Sequence, residues 1–211
     1  MRIVRFALLL LTITFLSGAL RADTAAVALG SFTPERKQGT QTFGWRFTVN
    51  TPIQVTKLGI LDVDRNGLSD SHQIGIWDEA TKALLASATV PIGTTALLDG
   101  DFRFVDVTPK RLAPGSYVIG AYYVDSVRDW NVRDAASMTV QPQITHTGSC
   151  YSSPVPSGFA FPNVQENLPR GHFGPNFQFI PASEIAATLF DFDSALNAFH
   201  FAYDVTGSKL T

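Results

Sequence analysis

Cysteine is nearly absent from this chain: Cys150 stands alone among 211 residues. No intrachain disulfide can form, so the fold must be held by its core or by a bound ion. A bias toward basic charge is missing as well. The 16 Lys and Arg face 18 Asp and Glu with no basic stripe, which excludes the electrostatic footprint of a nucleic-acid binder. Histidine is sparse, and His72, His146, His172 and His200 lie too far apart for a paired metal-ligand motif. There is no G-x-S-x-G, no P-loop and no G-x-G-x-x-G, so the common nucleophile-elbow and phosphate-cradle signatures are excluded. The longest apolar run, Phe6–Leu16, is too short for a comfortable bilayer span, which takes about 20 residues.

That run reads instead as the centre of an export signal. Arg2 and Arg5 precede it, and the small residues Ser17, Gly18, Ala19 and Ala22 follow it. Cleavage is expected after Ala22, with Ala19 as second choice, so residues 1–22 are a signal peptide. Arg2, Arg5 and Arg21 leave with it and no acid does, so 16 basic residues become 13 against 18 acidic, a net charge of −5. The expected location is secreted, periplasmic or cell-surface, with no transmembrane anchor in the mature chain. Cys150 is then either a reactive or intermolecular thiol or a small buried side chain.

The mature chain reads as short strands between turn residues, which predicts an all-β, antiparallel β-sandwich, jelly-roll-like, rather than alternating βαβ units. Gln41–Val49 alternates with a period of two, placing Trp45, Phe47 and Val49 on one face. Ile53–Leu61 is apolar and β-branched, and its alternation slips near Lys57-Leu58, as at a bulge. His72–Trp77, Leu84–Val90, Phe102–Val107, Ser116–Val124 and Met138–Ile144 continue the series. Tyr117–Val124 is apolar on both faces and predicts a central strand covered on both sides. From Cys150 onward prolines break the pattern, which predicts a loop-rich return supplying edge strands. The domain expectation is a lead-in over 23–40, the sandwich over 41–181 and an extension over 182–211. Leu189, Phe192, Leu196 and Phe199 fall at helical spacing within 183–203, so that extension is expected to hold a short helix.

Two segments carry candidate binding chemistry. Asp62, Asp64, Asn66 and Asp70 stand at positions 1, 3, 5 and 9 of a loop, with Gly67 at position 6 and the Leu68 carbonyl at position 7. This is the spacing by which a short loop wraps calcium in oxygen, so calcium is the candidate cofactor. Position 12 is Gln73, where a bidentate glutamate is usual, which lowers the expected affinity. The same residues also serve as an Asx-rich turn with its carboxylates in solvent. The second segment supplies Tyr122, Asp125, Arg128, Asp129, Trp130 and Asn131. Aromatic faces beside polar side chains suit sugar rings and their hydroxyls, although a strand end with Trp130 capping the core accounts for the same residues. His146 and Cys150 are close in sequence, but four residues apart along a strand or loop does not bring them together as base and nucleophile.

Several of these stretches form an ordered series: Gly44-Trp45-Arg46-Phe47, Gly67-Leu68-Ser69-Asp70-Ser71-His72, Gly75-Ile76-Trp77, Leu84-Leu85-Ala86-Ser87, Phe102-Arg103, Leu112–Gly120 and Phe173-Gly174-Pro175-Asn176-Phe177. The series resembles a bacterial family of exported β-sandwich domains known only as a domain of unknown function, some members of which carry a Pro-Glu-Pro C-terminal sorting tail. That tail is absent from this sequence. The resemblance covers about residues 42–179 and implies a sandwich in an extracellular setting; it transfers no catalytic residue. The functional expectation is a non-catalytic exported module that binds glycan or another cell-surface polymer. The alternatives are a structural or self-associating envelope or matrix protein, and a secreted hydrolase whose paired carboxylates leave no local signature.

Overall fold

The computed structural model describes residues 23–35, 40–124, 129–154, 158–166 and 168–182, so the expected signal peptide and the expected helix over 183–203 lie outside the described residues. The described residues form thirteen strands: β1 (Thr24–Ala25), β2 (Val27–Leu29), β3 (Gln41–Val49), β4 (Ile53–Leu61), β5 (His72–Asp78), β6 (Leu84–Val90), β7 (Leu97–Asp99), β8 (Phe102–Leu112), β9 (Gly115–Tyr123), β10 (Met138–Val140), β11 (Ile144–Tyr151), β12 (Val164–Glu166) and β13 (Pro175–Pro181). They form a five-stranded sheet in the order β1-β13-β4-β8-β7, a six-stranded sheet in the order β12-β11-β3-β9-β5-β6, and a β10-β2 pair. All pairings are antiparallel. The chain passes back and forth between the two large sheets, as in a jelly roll. Among the described residues no helix is long and apolar enough to cross a membrane.

The period-two pattern explains the layering. Trp45 and Phe47 of β3, Ile74 and Ile76 of β5, Tyr117, Ile119 and Tyr123 of β9, and Phe177 and Phe179 of β13 are all buried in one core. Each such side chain stabilises the fold by roughly 1.5–3 kcal/mol relative to exposure. Trp45 links the sheets: its ring stacks on Phe177 at 5.8 Å, and its indole N–H donates to the Pro175 carbonyl at 2.8 Å.

The central strand β9 is covered on its second face too, as its composition predicts. Gly44, Gly120 and Gly75 lie in register across β3, β9 and β5, forming a trough on the outer face of the six-stranded sheet. Phe159 and Pro162 lie in it, so close that a Cβ on Gly75 would stand 2.8 Å from Phe159 and one on Gly120 3.2 Å from Pro162. Trp77 packs beside them, its ring 4.9 Å from that of Phe159.

Three expectations change. The return after Cys150 does give an edge strand, β12, but β13 is interior, between β1 and β4. Met138–Ile144 is not one strand: β10 ends at Val140, and β11 begins at Ile144 after a turn closed by the Ile144 N–H on the Gln141 carbonyl. The strand expected at Phe102–Val107 runs on to Leu112 through Pro109. Pro109 is tolerated because β4 and β8 lose register between Val55–Lys110 and Lys57–Asp106, where no ladder bond is demanded of it. The expected slip near Lys57 is that same irregularity.

Candidate functional site

The acidic loop leaves β4 at Leu61 and turns sharply. The Arg65 N–H donates to the Asp62 carbonyl at 3.1 Å, and Arg65 and Gly67 take φ values of 55° and 106°. Glycine is required at 67 for two reasons: its positive φ, and the Gly93 backbone, which would lie 2.9 Å from any Cβ there. Leu68 and Gly93 then exchange backbone hydrogen bonds of 3.1 and 2.8 Å, fastening the loop to the segment after β6.

The cation inside this loop is a guanidinium. Arg103 of β8 is buried and donates from Nε to Asp62 Oδ2 at 2.6 Å. Its remaining nitrogens reach the carbonyls of Thr94 at 3.1 Å, Ala96 at 3.0 Å and Arg65 at 3.2 Å. Asp62 Oδ2 also accepts from the Gly67 N–H at 3.0 Å. A planar fork with several donors suits this role, because it satisfies a buried carboxylate and three carbonyls together.

The five residues proposed for calcium are placed as follows. Asp62 is buried under Arg103, the Leu68 carbonyl accepts from Gly93, Asp64 and Asn66 are exposed, and the Asp70 N–H is bound by Asp129. Among the described residues no group of three or more His, Cys, Asp or Glu is gathered to hold a metal ion.

Asp129 ties the second candidate segment to the first. Its Oδ1 accepts from the Ser69 N–H at 2.8 Å and its Oδ2 from the Asp70 N–H at 2.9 Å. His72 Nε2 lies 2.9 Å from the same Oδ2, while Nδ1 lies 3.1 Å from the Tyr122 carbonyl. Burial pushes the Asp129 carboxyl up, but the His72 ring and the two backbone N–H groups outweigh it and hold the carboxyl below its ordinary range. Beneath this pair lies Tyr123, its ring 4.7 Å from His72, with a hydroxyl driven upward by burial and by the Asp129 charge.

The tether creates a cleft of about 110 Å³ whose walls include Asp62, Asp64, Asn66, Ser69, Asp129 and Trp130. Residues that the sequence offers as two unrelated candidates therefore share one site. Trp130 is half-buried at its wall. Asn131 is not available at the surface: it is wholly buried, its backbone pairs with Glu35, and neither side-chain polar atom has a hydrogen-bond partner among the described residues. Tyr122 lies outside the cleft wall and contributes its carbonyl to His72. Asp125 and Arg128 lie outside the described residues.

Arg103, His72 and Ser69 are site residues that the sequence reading did not assign. Arg103 between Phe102 and Phe104 was one available signal, a charged residue inside an otherwise apolar strand start. His72 pairs with a carboxylate 57 positions away, a relation no local spacing displays. His146 and Cys150 are separated by the fold: β11 slips register between His146 and Gly148, His146 packs on Trp45 and Phe173, and Cys150 pairs with Gly44 along the trough. Burial pushes the Cys150 thiol up to about 12, with nearby Arg46 opposing it, and pushes His146 down.

No protein-family model matches this chain, and no curated protein matches it in sequence.

Proposed function

We propose that this chain is an exported, non-catalytic recognition module that holds an extracellular polysaccharide or other cell-surface polymer at the cleft between the 62–70 loop and Trp130. The observation that carries this reading is the shared wall itself: one indole and a set of hydrogen-bonding side chains, Asp64, Asn66 and Ser69, around a single small cavity. The indole offers an apolar face to a sugar ring, while the carboxylate and amide oxygens accept from its hydroxyls. The size supports a polymer. Pockets that enclose a whole small molecule run from roughly 300 Å³ upward, so a cleft of about 110 Å³ takes one edge of a ligand and leaves the rest in solvent.

A binding role also suits the His72–Asp129 pair. Both ring nitrogens of His72 and both oxygens of Asp129 are already hydrogen-bonded within the protein. A general base needs an open position within reach of a substrate proton, and this pair is committed to holding the loop.

The test is a glycan array followed by calorimetry on the hits, with parent, Trp130→Ala and Asp64→Asn proteins, each with calcium and with chelator. The expected result is a restricted set of signals that weaken about tenfold or more in Trp130→Ala, equivalent to about 1.4 kcal/mol. A blank array, or binding indifferent to Trp130, defeats the reading. Heat on adding calcium that is lost in Asp64→Asn assigns calcium to the same loop as a staple.

A further inference from the structure

Seven asparagines occur in the chain, and Asn66 alone is followed by glycine. The others precede Thr, Val, Leu, Phe or Ala, whose side chains crowd the next backbone nitrogen. Asparagine is a thermally labile residue. Its labile step is attack on the side-chain amide carbon by the backbone nitrogen of the following residue, and glycine, without a Cβ, leaves that approach open. The loop has no alternative to glycine here: Gly67 takes a φ of 106°, and a Cβ on it would stand 2.9 Å from the Gly93 backbone. Asn66 itself is exposed on the wall of the cleft. The fold therefore places a reactive amide in water beside a residue it cannot exchange for a bulkier one.

The attacking nitrogen, in contrast, is held. The Gly67 N–H donates to Asp62 Oδ2 at 3.0 Å, and Arg103 Nε fixes the same oxygen at 2.6 Å. The Arg103 fork also holds the Arg65 carbonyl, next to Asn66 in the chain, at 3.2 Å. Two effects of this clamp act in one direction. The Gly67 nitrogen must break a hydrogen bond to a charged group before it can turn toward Asn66. Its attacking form is also the nitrogen stripped of its proton, whose negative charge a carboxylate at that distance opposes.

We propose that Asn66 is a site of spontaneous covalent modification, guarded in the folded chain by the Asp62–Arg103 pair. When the clamp opens, the Gly67 nitrogen loses its proton and its electron pair bonds to Asn66 Cγ. The Cγ–Nδ2 bond breaks, and Nδ2 leaves with that proton as ammonia. Water then opens the cyclic imide at either of its carbonyls. Addition at Cγ breaks the new Cγ–N bond and gives aspartate, which adds a carboxylate to a wall that already holds Asp64. Addition at the main-chain carbonyl breaks the original peptide C–N bond and gives isoaspartate, whose main chain runs through Cβ and Cγ and is longer. That lengthening falls between the Arg65–Asp62 turn and the Leu68–Gly93 pair, the two backbone ties of the loop, so both cannot keep their register. The inference does not depend on what the cleft binds.

The experiment is peptide mapping by mass spectrometry after incubation at mildly alkaline pH, with the aspartate and isoaspartate forms separated by chromatography. The parent is incubated folded and unfolded in guanidinium chloride, beside a folded Asp62→Leu/Arg103→Met variant, which exchanges the pair for apolar side chains. The unfolded parent should convert Asn66 ahead of the other six asparagines. The folded parent should convert it about tenfold or more slowly, the factor that one hydrogen bond to a charged group supplies. The double variant should recover much of that factor. Three outcomes overturn the proposal: a folded parent as fast as the unfolded chain, a folded double variant as slow as the parent, or an Asn66 that stays intact when unfolded. Hydrogen exchange on the parent tests the guard even where the double variant does not fold. The Gly67 amide should be protected, and exchange at the rate of an open amide overturns the guard.

Discussion

Replacing Asp129 by asparagine isolates the tether that joins the two loops. The side chain keeps its shape but exchanges one acceptor oxygen for an N–H donor. In the parent, one carboxylate oxygen faces the Ser69 N–H and the other faces the Asp70 N–H and His72 Nε2, at 2.8, 2.9 and 2.9 Å. Whichever way the new amide turns, its NH₂ meets at least one backbone N–H. The variant therefore loses one or two charge-assisted bonds worth roughly 1.5–3 kcal/mol each. With local relaxation the expected loss is about 3 kcal/mol, which lowers the melting temperature by about 6–12 °C for a chain of this size. Thermal scans and urea melts at neutral pH measure it directly.

The pH dependence supplies the sharper test. The folded protein holds the Asp129 carboxyl below its unfolded value. Its contribution is therefore complete above the unfolded carboxylate range and disappears as pH falls through the lowered folded value. The gap between parent and Asp129→Asn should be widest at neutral pH and should close in acid, where the parent carboxyl is itself protonated. A gap below about 1 kcal/mol at neutral pH, or one that stays constant into acid, refutes the assignment of Asp129 as the loop's anchor.

Two further outcomes follow from the buried groups. Arg103→Met strands the Asp62 carboxylate and three carbonyls, so urea melts should show a loss of about 3–5 kcal/mol, and adding Asp62→Leu should restore part of it; a single variant as stable as the parent contradicts that account. Cys150 should ignore thiol reagents in the native protein, because it is fully buried and its thiol is pushed up to about 12, and should react once the chain is unfolded; rapid native labelling contradicts it.

The sandwich was legible because its signals are local. Residues 41–49, 53–61 and 84–90 alternate with period two or end at turn residues, and β3, β4 and β6 have those bounds. The two-faced apolarity of Tyr117–Val124 also marked a covered central strand. The interior place of β13 was not legible, since its prolines argue for an edge while its partners, β1 and β4, lie far away in sequence. The site shows the same division. The 62–70 spacing located the loop, but nothing within nine residues announces that Arg103, 41 positions on, supplies the positive charge at its centre. Likewise Asp129 and Trp130 were visible as chemistry, whereas their meeting with Ser69 is a product of topology.

The pairing of β1 with β13 has a consequence in time. Thr24 lies against Phe179, and the Trp45 indole rests on the Pro175 carbonyl, so the five-stranded sheet and the core both wait for residues near 175–181. Loop closure over such separations is slow. During synthesis β1 has no partner until almost the whole described body has emerged, which leaves a long interval in which a chaperone can hold the N-terminal part of that body unfolded.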